Sequence, residues 1–81
     1  MSAFYVVIEN GDPYPHLYTS YASAASAAQE KYKEAIEEQI KEADGHPICS
    51  EINVPENTSG TTYLYVEKGI YIYIYKLEVK V

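Results

Sequence analysis

Arginine is missing from this chain altogether, and with it the planar fork that most phosphate and carboxylate sites rely on; six lysines supply only scattered point charges. Against them stand twelve acidic groups, for a net charge of −6, which repels phosphate backbones and anionic membranes. Direct binding to a nucleic-acid backbone is therefore not expected. The single cysteine, Cys49, cannot close an internal disulfide, so the fold needs no oxidising compartment and a cytoplasmic location is expected. No apolar run approaches the roughly 20 residues that span a bilayer, and Met1-Ser2-Ala3-Phe4 leads into a strand without a basic leader, so no membrane partner is expected. Glycine and proline are scarce, four of each, and 47% of the residues are apolar, which excludes a disordered chain.

Catalytic and metal-binding patterns are equally thin. His46-Pro47-Ile48-Cys49 offers two ligand types three apart, but a metal site needs three or four and no second cluster follows. His16 with Cys49 lacks a third orienting group, and neither a Gly-rich phosphate loop nor calcium-loop spacing is present. Asn57-Thr58-Ser59 fits a glycosylation sequon but reads more simply as a loop. The expectation is a non-enzymatic protein with no cofactor and no metal.

What the chain does have is tyrosine: ten of them, with one Phe and no Trp. Eighty-one residues make a single domain, 1–81, small enough that a partner chain would add to a modest stability. Phe4 to Ile8 reads as an interior strand, with Phe4, Val6 and Ile8 on one face and Tyr5 and Val7 on the other. Asn10-Gly11-Asp12-Pro13-Tyr14-Pro15 is dense in turn residues and ends it, and His16 to Thr19 suits a short extended return. Thr19 or Ser20 caps a long helix that runs to about Ala43, where Asp44-Gly45 stops it with Gly45 left-handed. Its buried stripe is expected at Tyr21, Ala25, Ala28, Tyr32, Ile36, Ile40 and Ala43. The opposite face is an acidic surface of Glu30, Glu34, Glu37, Glu38 and Glu42, interspersed with Lys31, Lys33 and Lys41. Like-charge spacings such as Glu30/Glu34 and Glu34/Glu38 cost that helix a little stability.

Ile48 to Val54 reads as a third strand, Pro55 to Gly60 as a loop, and Thr61 to Tyr75 as a hairpin in which tyrosine alternates with aliphatic residues. The expected fold is α+β: a two-layer sandwich with one long helix on one face of a four-stranded, mostly antiparallel sheet, in the order β-α-β-β-β. The hairpin register follows from its turn. A three-residue loop with Gly69 left-handed sets Val66 opposite Ile70, and puts Leu64, Val66, Ile70, Ile72 and Ile74 on one face. Tyr63, Tyr65, Tyr71, Tyr73 and Tyr75 then share the other, continued by Leu77, Val79 and Val81. A two-residue loop would mix both types on both faces.

The aliphatic side belongs against the helix. The tyrosine side has nothing in so short a chain to cover it, and is expected to bind a protein partner or a second copy of the chain as a homodimer. Its partner-binding residues would be Tyr63, Tyr65, Tyr71, Tyr73, Tyr75, Leu77 and Val79, with the acidic helix face as a second surface. In type, the chain is similar to the small acidic accessory proteins of viruses and phages that inhibit host factors. The alternative expectation is a small-molecule binder, in which tyrosines and the Gly11 to Tyr18 loop make a pocket for a planar or nucleotide-like ligand.

Overall fold

The computed structural model describes residues 3–44 and 50–78. Its elements are β1 (Ala3–Glu9), β2 (Asp12–Pro13), α1 (Tyr21–Lys31), α2 (Lys33–Ala43), β3 (Thr61–Glu67) and β4 (Ile70–Glu78). The fold is α+β, with a four-stranded sheet, antiparallel throughout, in the order β2-β1-β4-β3. β1 is an interior strand, as its apolar residues on both faces imply.

Two expectations about the element order are corrected. The Asn10-Gly11 turn does not merely end β1 but folds it back: Asn10 and Gly11 both have positive φ, 50° and 89°, and Glu9 pairs with Asp12. Two left-handed residues in succession match the twist of flanking antiparallel strands, which is why Asn-Gly makes two-residue hairpins. Pro13, which has no N–H to give a ladder, is tolerated because β2 is an edge strand. Conversely, the strand expected over Ile48 to Val54 is absent from its described part. Glu51 makes one isolated bridge to Tyr65, and Ser50 to Val54 otherwise follows the sheet without joining it; Ile48 and Cys49 lie outside the described residues, as do Gly45 and His46. The order is thus β-β-α-α-β-β.

The helix is divided rather than continuous. Ser20 caps α1, its hydroxyl accepting from the Ser23 N–H at 3.1 Å. At Tyr32 the backbone leaves helical geometry, φ −108° and ψ 18°, before α2 resumes. No Pro or Gly lies there; the departure falls between the like-charged Glu30 and Glu34, where Lys31 and Tyr32 converge on Glu9. α2 ends at Asp44, which itself takes the left-handed conformation at φ 47°.

α1 packs on β1 and β4 through Ala24, Ala25 and Ala28, whose small side chains let the helix approach the sheet. The core is completed by Tyr5, Val7, Ile36, Leu64, Val66, Ile72 and Ile74, with Ile52 and Val54 packed at its margin. Ile40, expected in the buried stripe, is 57% exposed, so α2 carries the stripe only as far as Ile36. Side-chain amides hold the 50–54 segment in place of a ladder. Gln29 Nε2 donates to the Ile52 carbonyl and Gln39 Nε2 to that of Val66, each at 2.9 Å. Ser50 donates to Gln39 Oε1 and reaches the same Val66 carbonyl.

Candidate protein interface

The hairpin has the register that separates its residue types. Tyr63 pairs with Tyr73, Leu64 with Ile72 and Tyr65 with Tyr71; the ladder then shifts, and Glu67 pairs with Ile70. Gly69 sits at φ 91°. Glu67, not the expected Val66, thus stands opposite Ile70, and the loop between the strands is the two residues Lys68 and Gly69; a bulge in β3 between Tyr65 and Glu67 takes up the extra residue and keeps the side chains on their faces. Leu64, Val66, Ile72 and Ile74 are accordingly buried, while Ile70 is half-buried at the core's edge.

Cross-strand partners share a face, so the pairings assign the opposite side too. Phe4 lies opposite Leu77, Val6 opposite Tyr75 and Ile8 opposite Tyr73. The apolar half of β1 therefore joins the five hairpin tyrosines, Thr61 and Leu77 on one continuous sheet face, where Glu51, bridged to Tyr65, adds a carboxylate at the β3 edge. The extension of the tyrosine face by Phe4, Val6 and Ile8 was missed by reading the hairpin alone: it depends on β1 pairing with β4, a contact between distant parts of the chain. Leu77, 50% exposed, lies where the alternation puts it; Val79 and Val81 lie outside the described residues.

The rings on this face touch one another. Tyr63 and Tyr73 have centroids 5.1 Å apart at an interplanar angle of 46°, and Tyr65 and Tyr71 5.9 Å apart at 42°. Tyr63 and Tyr71, at 20°, and Tyr73 and Tyr75, at 27°, are closer to parallel. Packing does not bury them: Tyr63, Tyr71 and Tyr73 each keep about two-fifths of their surface in water, at 40%, 42% and 39%. Burial among its neighbours, then the adjacent phenols of Tyr73, Tyr71 and Tyr65 and the Glu51 carboxylate, raise the Tyr63 hydroxyl above its ordinary value.

The remaining five tyrosines serve the helix side. Tyr5 donates to Glu56 Oε2 at 2.7 Å and meets Tyr21 edge-on, and the Tyr21 hydroxyl donates to the Val54 carbonyl. Tyr18 bridges Tyr5, and Tyr14 donates to Glu9 Oε1 at 3.0 Å. The sheet thus stands between the tyrosines of the 11–18 loop and those of the hairpin, which do not line one common pocket. Shallow grooves do flank the helices. One, of about 290 Å³, lies among Ser26, Gln29, Glu30, Lys33, Ile36, Glu37 and Ile52; another is lined by Glu34, Ala35, Glu37, Glu38 and Lys41.

The acidic residues Glu30, Glu34, Glu37, Glu38 and Glu42 are all exposed, the first on α1 and the others on α2. They lie on the helix layer, across the sheet from the tyrosine face. Among the described residues, no three His, Cys, Asp or Glu side chains come together as a metal-ligand set. His16 is exposed. No described helix is long and apolar enough to cross a membrane. Protein-family models, curated proteins and solved structures were all compared with the chain, and none matches it.

Proposed function

We propose that this protein is a non-enzymatic interaction module that associates with a second copy of itself through the open face of its sheet. One observation carries the reading: a sheet face dominated by tyrosine, aliphatic residues and phenylalanine, with Glu51 bringing a carboxylate only beside Tyr65 at the β3 edge, on a chain whose net charge is −6. Depletion of charge with enrichment of tyrosine is the composition of an interface centre, whereas bulk apolar area alone is not diagnostic. A second copy suits it better than a charged partner, because the chain's carboxylates on α2 lie on the far layer and need not meet in a face-to-face pair.

The area sets the strength. A tyrosine presents roughly 200 Å² when open, so the partly exposed residues of this face together offer on the order of 500 Å². Two such faces bury about 1,000 Å², at the low end of specific interfaces, so a reversible dimer in the micromolar range is expected. Sedimentation equilibrium tests it. Wild type should show a concentration-dependent monomer–dimer equilibrium, and Tyr73→Glu should stay monomeric with an unchanged far-ultraviolet spectrum. A wild-type chain that remains monomeric at high micromolar concentration would overturn the proposal.

The near-parallel pairs Tyr63/Tyr71 and Tyr73/Tyr75 favour a second occupant of the same face, a flat aromatic ligand stacked on the rings. Such a ligand would quench tyrosine fluorescence saturably in the monomer; unchanged emission across a panel of planar metabolites would eliminate it.

A further inference from the structure

On the helix side of the sheet, away from the tyrosine face, an ammonium group already sits in an aromatic and acidic recess. Lys31 Nζ lies 5.2 Å from the centroid of Tyr14 and 5.5 Å from that of Tyr32, and donates to Glu9 Oε1 and Oε2 at 3.0 and 3.2 Å. An ion pair that only tied α1 to β1 would need the carboxylate alone. Here two ring faces also meet the cation, the combination by which proteins bind amines.

The recess and its occupant differ in how firmly they are held. Glu9 is in β1, its side chain 18% exposed, and the Tyr14 hydroxyl donates to its Oε1 independently of Lys31. Tyr14 is anchored by its own N–H to the Val7 carbonyl at 2.8 Å, and Tyr32 is placed by the break between α1 and α2. Lys31, by contrast, is 52% exposed on a flexible stem and can swing into water without disturbing the backbone. From this geometry we infer that Glu9, Tyr14 and Tyr32 form a binding site for a primary alkylammonium group, such as a lysine side chain of a protein partner, which Lys31 occupies from within until it is displaced. Both carboxylate oxygens take a hydrogen bond from the ammonium, which a tertiary or quaternary nitrogen cannot supply, and the group seated there is the primary ammonium of a lysine.

A tethered competitor acts at an effective concentration on the order of millimolar, so for a site whose own Kd for the amine is about 0.1 mM its removal should tighten binding of a free amine by about tenfold. The probe is n-butylammonium at fixed ionic strength, followed by the aromatic NMR signals of Tyr14 and Tyr32 in Lys31→Met, which keeps the stem and loses the charge. Saturable shifts are expected in Lys31→Met, about tenfold weaker in wild type, and absent when Glu9→Gln is added. In wild type, the Lys31 Cε signal should move saturably as the probe displaces it, a readout that does not depend on the variant folding. Linear shifts indistinguishable between wild type and folded Lys31→Met, or a wild-type Lys31 signal that does not respond, would overturn the site. Equal binding of tetramethylammonium would overturn the assignment to primary amines.

Discussion

Tyr63 and Tyr73 stand directly opposite each other across the β3–β4 ladder, their ring centroids 5.1 Å apart on the open face of the sheet. An aromatic cross-strand pair contributes roughly 0.5–1.5 kcal/mol beyond the area it covers. A double-mutant cycle with Tyr63→Ala and Tyr73→Ala, read by urea unfolding at concentrations where the chain is monomeric, should give a coupling of about 1 kcal/mol. Strict additivity would mean that the rings do not support each other.

The residue just before Tyr73 faces the other way and should behave differently. Ile72 has no exposed surface, and replacing it with alanine opens a cavity in the core at a cost of about 2–5 kcal/mol. In a domain of this size that is a large share of the stability. Tyr73→Ala should cost the monomer about 1 kcal/mol or less while abolishing self-association. Similar urea midpoints for the two variants would contradict the division of faces.

Gly69 holds φ 91° with open space where a Cβ would stand. The cost of Gly69→Ala is then conformational only, about 1–2 kcal/mol. Gly69→Asn should cost less, since asparagine visits the left-handed region more readily. A D-alanine introduced by chemical synthesis should be tolerated fully. If L- and D-alanine shift the unfolding midpoint equally, backbone conformation is not what selects glycine.

Stability should fall at both ends of the pH scale for identifiable reasons. Burial raises Tyr14 above the ordinary tyrosine value of 10.0 and pushes Tyr32 up to about 12, and the Glu9 carboxylate adds to both. From pH 10 upward the folded chain retains protons that the unfolded chain has released, so stability drops as pH rises through that window. Tyrosinate absorbance of native protein should lag behind that of the chain in urea, and Tyr14→Phe/Tyr32→Phe should shorten the lag. Glu9 works in the opposite direction. Burial opposes its ionisation, but the nearby Tyr32 hydroxyl, the hydrogen bonds from Lys31 and Tyr14 and the Lys31 charge outweigh it and hold the carboxyl below 4.5. Its contribution is present above that value and is lost as pH falls through the folded-state value. Glu9→Gln should flatten the acid limb of a pH–stability curve; an unchanged limb would show that Glu9 is not held in this way.

Much of the hairpin was legible because two local signals agree. Gly69 admits a left-handed turn, and the alternation sets Leu64, Val66, Ile72 and Ile74 apart from the tyrosines; the bulge between Tyr65 and Glu67 that achieves this beside a two-residue loop had no local signal. The Ser20 cap and the split of Phe4, Val6 and Ile8 from Tyr5 and Val7 were equally local. β2 was readable in principle, since Asn10-Gly11 is a two-residue hairpin signal, but the prolines on either side of Tyr14 read as loop. The placement of Ser50 to Val54 had no local signal at all, because Gln29 and Gln39 hold it from more than ten residues away. Ile40 shows the limit of periodicity: spacing places it on the helix stripe, but its side chain remains largely in water. The recess around Lys31 was hidden for the same reason, its parts coming from a strand end, a turn and a helix break.

The pairing of β1 with β4 also decides how the fold must be reached. Ala3 lies opposite Glu78 and Glu9 opposite Ile72, so the two central strands of the sheet come from opposite ends of the described chain. The β3–β4 hairpin can close locally, yet the sheet gains its middle only after a loop of more than sixty residues has been closed. Folding should therefore be slower than for a helical protein of equal length. Until β1 docks, one edge of β4 stands open to another chain, and a brief delay at that step is when the protein is most exposed to misassembly.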